Sequence, residues 1–203
     1  MPGKAVWESM LAENLIVLAI DGVQSGYLGP YGNTWVPTPG WNELAARSLL
    51  LEWHLADATD LAEIYRGFWS GLPAGGGRRN RELSRLIERM AAASVTTTCL
   101  SDEPQVADWA AREARFSVVE KTEPARPGRS YENWEESDAG RWAMMAAETA
   151  VAQTSRFFLW VHCGAMARAW QAPYAWRERF RDDEDPEPAS FTEPPQGSLP
   201  KDV

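Results

Sequence analysis

"NLIVLAIDG", residues 14–22, sets six apolar residues in an unbroken row between an asparagine and an Asp-Gly pair. A strand with one wet face alternates apolar and polar residues, so a short uniform run fits a strand buried on both faces of a parallel sheet. Asp-Gly then reads as the turn that leaves the strand. In open α/β sheets, ligands bind outside the carboxyl ends of the strands. Asp21 therefore falls on the rim, as the first candidate for a metal ligand.

Working outward, the same alternation of apolar runs and helical spacing continues. Strands are predicted at 14–20, 48–56 ("SLLLEWHLA"), 94–102 ("SVTTTCLSD"), 115–120 ("RFSVVE") and 156–162 ("RFFLWVH"). Between them, Thr38 and Pro39 open a short helix. Asp57 or Thr59 caps a second helix, with Leu61, Ile64, Tyr65 and Phe68 on one face and Gly71 at its end. Residues 80–92 place Leu83, Leu86, Ile87 and Met90 at helical spacing. "PQVADWAAREA" and residues 138–154, the latter with Trp142, Met145, Ala146 and Thr149 on one face, complete the helices. The expected fold is α/β: a mostly parallel sheet of about five strands with helices on both faces. The expected organisation is an N-terminal extension (1–13), one α/β domain (14–181) and an acidic, Pro-rich tail (182–203) too poor in apolar residues to fold alone.

Composition narrows the function classes. A net charge of −9 over 203 residues argues against nucleic acid, which needs clustered Lys and Arg. The one basic cluster, "GGGRRNRELSR" at 75–85, reads as a loop entering a solvated helix. No run is long enough to span a membrane, and the N-terminus lacks the apolar core of a signal peptide. Cys99 and Cys163 sit in or beside apolar strands, which suits reduced thiols in the cytoplasm. The 11 tryptophans are more than one core of this size readily absorbs, so some are expected on a contact surface.

In their order along the chain, these segments also resemble a known family. "NLIVLAIDGVQSGYLGPYGNTWVPTPGWNELAARSLLLEWHLA" is similar to the opening of the sulfatase branch of the alkaline-phosphatase superfamily. Those chains begin with a strand ending in Asp-Asp, followed by D-x-L-G-x-Y-G-N and T-P-N-L-D-x-L-A-A-x-G. "YRGFWSGLPA" resembles the family's R-x-x-L-x-T-G-x-x-P, and "RFFLWVHCGAMARAWQAPYAWRERF" resembles its later P-F-F-L-W-V-H segment. The resemblance covers most of residues 14–181 and implies the N-terminal half of a sulfatase-like domain.

The resemblance also implies that the chemistry is gone. The family holds a divalent metal between acidic pairs, which activates the nucleophile and steadies the oxyanion. Asp21 matches the first acid of the leading pair, but Gly22 stands at the second. Counting back from Gly71 puts Leu61 at the nucleophile and Tyr65 at the following arginine; a one-residue slide gives Ala62 and Arg66. The family's Lys and His after the third strand are replaced around "TCLSDEPQ". Its Pro-His after the last strand is missing from "HCGAMARAW", and its second acidic pair lies beyond the matching residues.

The expectation is therefore a pseudoenzyme: a structural or interaction subunit of a larger protein assembly, with no cofactor. The alternative is a residual metal-dependent sulfate- or phosphate-ester hydrolase, or half of a split one. Asp21, His54, His162 and Cys163 are the weak metal candidates, each a single ligand type near the end of a predicted strand, with core or rim packing as the ordinary reading. Thr59 is the alternative nucleophile, and equally a plain N-cap. Trp170, Tyr174, Trp176, Arg177 and Phe191 are the expected partner-binding residues. The expected partners are other protein subunits, in the cytoplasm, with attachment to the cytoplasmic face of a membrane complex left open.

Overall fold

Four runs form strands: β1 (Leu15–Ile20), β2 (Thr96–Ser101), β3 (Val118–Lys121) and β4 (Phe157–Cys163). The computed structural model describes residues 14–73, 85–123, 131–168 and 171–188. All strand pairs are parallel, and the order across the sheet is β1-β4-β2-β3. Opposite partners include Ile20 with Cys163 and Ser101 with His162, so β1, β4 and β2 end at one level. The chain is an α/β protein with a parallel sheet, as the sequence predicts, but with four strands among the described residues where about five are expected.

Side chains alternate across a strand, so β4 feeds two cores. Phe158 and Trp160 point to one face, where Tyr65, Trp69, Ile87, Val106, Ala110 and Phe116 close around them. Phe157, Leu159, Val161 and Cys163 point to the other, against Trp142 and Ala146. β4 is buried along its whole length, which is why its sequence is apolar apart from His162. β2 is threonine-rich, and its buried Thr97 hydroxyl is satisfied by accepting from the Ser117 N–H at 3.0 Å.

The first face is covered by three helices. α1 (Pro39–Ala46) precedes them and buries no residue. α2 (Leu61–Ser70) buries Ala62, Tyr65 and Trp69, spaced at three and four residues, and ends on Gly71 in the left-handed region at φ 73°. α3 (Arg85–Ala92) adds Ile87. α4 (Pro104–Trp109) starts on proline and runs into a π-turn at Ala110–Ala114. Arg66 on α2 grips Glu113 of that turn through two bonds of 2.8 and 3.1 Å. On the opposite face lies α5 (Asp138–Val151), capped by Ser137 accepting from Gly140 N–H at 3.0 Å. α6 (Tyr174–Glu178) is a short exposed helix beyond β4.

Several expectations are corrected. Residues 48–56 are not a strand: they run irregularly outside the sheet and are mostly exposed. The β pattern is present, but a strand forms only beside a hydrogen-bonding neighbour. β1 is not buried on both faces either. It is an edge strand whose Val17, Ala19 and Ile20 pack inward while Leu15, Ile16 and Leu18 are exposed. The cap of α2 is Asp60, which accepts the Glu63 N–H at 3.0 Å, rather than Asp57 or Thr59. The loop at 26–40 contains 3₁₀ turns at Ser25–Tyr27 and Gly29–Tyr31. Of the helix expected at 80–92, only 85–92 fall within the described residues, as do only 182–188 of the tail; residues 1–13 lie outside them.

Because Asp60 supplies that side-chain cap, Asp60→Ala is expected to lower stability by about 1 kcal/mol. Thr59→Ala, one residue outside the helix, should change it by no more than a few tenths, as exposed substitutions ordinarily do. Urea denaturation of the two variants checks the assignment.

Candidate functional site

At the shared carboxyl level of β1, β4 and β2, the sequence brings Asp21, His162 and Asp102 to the rim. The backbone joins first: Asp21 N–H donates to Cys163 carbonyl at 2.8 Å. Asp102, directly after β2, is buried and fully engaged. Its Oδ1 accepts the Gly164 N–H at 2.7 Å, its Oδ2 takes a charge-assisted bond from Arg168, and its carbonyl accepts a second guanidinium bond at 3.1 Å. Arg168 follows the 3₁₀ turn Ala165–Ala167, so this clasp ties the segment after β4 to the end of β2.

His162 is buried below the clasp and shares a 2.5 Å hydrogen bond with Tyr65 of α2 through its Nδ1. The His162 carbonyl accepts from the Trp142 indole N–H at 2.7 Å, so the residue is held from both faces of the sheet. Burial pushes its imidazole below the ordinary value, against the opposing fields of Asp102 and Asp21. Burial also raises the Tyr65 phenol well above its usual range, so both partners stay neutral near pH 7. The thiols are similarly inert: burial lifts Cys99 to about 12 and Cys163 to about 11.

A pH dependence follows. The folded imidazole has the lower pKa, so below about 6.5 the unfolded chain binds the extra proton. Stability is complete above that value and is lost as the pH falls through it toward the folded-state pKa. The melting temperature is expected to be level between pH 8 and 7 and to decline from about pH 6.5 to 5.5, with His162→Gln flattening that slope. An unchanged slope in the variant would remove His162 as its cause.

The sequence candidates separate in space. His162 and Cys163 point to opposite faces of the sheet, so they do not converge on one ion. His54 is exposed on a segment that is not a strand and so does not stand at a strand end. Asp21 is exposed on the turn after β1. Among the described residues, no three His, Cys, Asp or Glu side chains gather closely enough to hold a metal ion. Thr59 is exposed outside the α2 terminus. Tyr174, Trp176 and Arg177 lie on α6, with the Arg177 guanidinium 5.9 Å from the Tyr174 ring centre; Trp170 and Phe191 lie outside the described residues.

Asp102 is legible in sequence as a strand-end acid, but Arg168 is not. It is an isolated arginine in an irregular segment, and its partner is 66 residues away. Tyr65 reads as one more apolar position on a helix face, with nothing local to announce His162. A cavity of about 620 Å³ at the end of α2, lined by Leu72, Leu86, Arg89 and Met90 among others, stands apart from this rim.

Fold and rim together define an α/β protein with an open parallel sheet whose strand-end polar groups bond to one another. No family model matches the chain, and neither a curated protein nor a solved structure matches it.

Proposed function

We propose that this chain is a degenerate, catalytically inactive sulfatase-like protein that serves as a structural or interaction subunit of a larger protein assembly. The observation that carries the reading is an exposed aromatic patch. Trp35, still 65% exposed, meets Phe180 edge-on at 5.3 Å, and Trp176 stands one helical turn before Phe180. Large rings left in water at this density are the usual anchors of protein interfaces. The Tyr174 and Arg177 pair on the same helix extends the patch with residue types enriched there.

The positions that the resemblance assigns to chemistry support the inactive half of the reading. Gly22 has φ 81°, and a Cβ added to it would lie 2.7 Å from the Ala167 backbone nitrogen, so the second metal acid has no room. Ala62 is buried, Leu61 packs against the core, and Arg66 is committed to Glu113. No helix among the described residues is long and apolar enough to cross a membrane. The proposed setting is the cytoplasm, including the cytoplasmic face of a membrane complex.

The test is the native assembly, purified from its source and identified by mass spectrometry. Trp35→Ala and Trp176→Ala should each weaken assembly by about thirtyfold, the effect of losing a 2 kcal/mol hot spot. An unaltered assembly in both variants, or hydrolysis of an aryl sulfate or phosphate monoester that is lost in Asp21→Ala, would overturn the proposal.

A further inference from the structure

We propose that a second copy of this chain covers the open edge of the sheet, each copy lending residues 49–55 as an added strand beside β1 of the other. This surface is separate from the aromatic patch and does not depend on it.

The acceptor is β1. Among the described residues no strand pairs with its outer side, so alternate backbone N–H and C=O groups of that edge face away from β4 unpaired. Leu15, Ile16 and Leu18 are exposed along it. From Leu15 to Ile20 the strand carries no charge, none of the lysines, prolines or bulges that commonly blunt a sheet edge.

The donor is the segment that the sequence predicts as a strand and the fold leaves outside the sheet, where the Tyr31 hydroxyl donates to the Leu51 carbonyl at 3.3 Å. Leu49, Leu51, Trp53 and Leu55 are 84, 54, 89 and 87% exposed. Their period of two would place all four on one face once the segment is extended, with Glu52 and His54 on the other. Exposed leucines singly need no explanation, but four large apolar residues in strand register form a contiguous surface.

Donor and acceptor match in length and area. Seven extended residues span roughly 23 Å, against roughly 20 Å for the six of β1. The four donor side chains with Ile16 and Leu18, which share one face of β1 while Leu15 lies on the other, expose roughly 800 Å² per copy, comparable to the ~800 Å² per partner of a standard interface. Both halves lie on every chain, so a two-fold exchange satisfies both at once.

The experiment is light-scattering mass of the full chain up to about 100 μM, above the weakest, micromolar affinities of interfaces this size. The wild type should have twice the 22.7 kDa protomer mass. Trp53→Lys spoils the donor and Leu18→Lys the acceptor, so each should be a monomer at the same concentration. Both residues are exposed, and unchanged circular dichroism confirms the fold of each variant. Mixing the two variants restores one intact junction, and a weak dimer should reappear in the mixture alone. A monomeric wild type overturns the proposal, whether the row is then covered by residues 1–13 of its own chain or by another protein. A dimer that survives both lysines also overturns it, by placing the contact elsewhere. Neither outcome bears on the Trp35 and Trp176 assembly, which is read separately.

Discussion

Trp69→Ala is expected to cost about 3–5 kcal/mol, among the largest single losses this fold offers. Trp69 is 1% exposed and lies one turn after Tyr65 on α2. Its ring stacks on Tyr65 at 5.2 Å and receives Phe116 at 5.4 Å and Trp160 at 5.7 Å edge-on. One side chain thus joins the helix, the centre of the sheet through β4, and the segment entering β3. Truncation leaves a cavity bounded by rigid rings, which cannot collapse to fill it. At roughly 2–4 °C per kcal/mol for a chain of this size, the melting temperature should drop by about 6–20 °C. Trp69→Phe is the informative companion. The indole N–H is buried without an acceptor among the described residues, so phenylalanine keeps most of the packing and removes an unsatisfied donor. Its cost should stay well below that of alanine, at about 1–2 kcal/mol, because the cavity left by the lost ring is smaller. Urea midpoints of the two variants decide the matter, and a loss below about 1 kcal/mol for alanine would show that this cluster is not the structural core.

The tryptophan cluster also shows what was readable beforehand. β4 announces itself because "FFLWVHC" is apolar on both parities, and its two faces do meet different helices. For β1, uniform apolarity says that the run prefers burial, not that a neighbour exists to bury it. Its outer side is bare among the described residues, and the sequence has no local sign of that. Residues 48–56 make the same point more sharply, since alternation is local and a ladder partner is not. At the rim, the strand-end positions of Asp21, Asp102 and His162 follow from the pattern, and so does the opposition of His162 and Cys163 across the sheet. The pairings Tyr65 with His162 and Asp102 with Arg168 do not, because each closes a loop of 97 or 66 residues. Gly22 divides evenly: its positive φ is legible in Asp-Gly, while the approach of Ala167 is a property of the folded chain alone.

The second large effect is at the clasp, where the asymmetry between its partners is the argument. Arg168→Met should cost about 3–5 kcal/mol, because it leaves the Asp102 carboxylate uncompensated with its side chain 3% exposed. Asp102→Ala should fall at or below the low end of that range. The Arg168 side chain is 30% exposed and can turn its charge to water, although Gly164 N–H then loses its acceptor. Asp102→Asn, which retains an acceptor for Gly164, should be milder than alanine by about 1 kcal/mol, the value of one hydrogen bond. The double variant Asp102→Asn with Arg168→Met removes the stranded charge and should be more stable than Arg168→Met alone. A coupling of about 1–3 kcal/mol in this cycle is expected for groups in direct contact. Additive losses would mean that the pair does not act as a unit and that the rim is held closed by its backbone. Coupling would mean that the side chains at the carboxyl end of the sheet are held by one another. A rim held in that way ties the end of β2 to the segment that follows β4, with both Asp102 carboxylate oxygens engaged by Gly164 and Arg168.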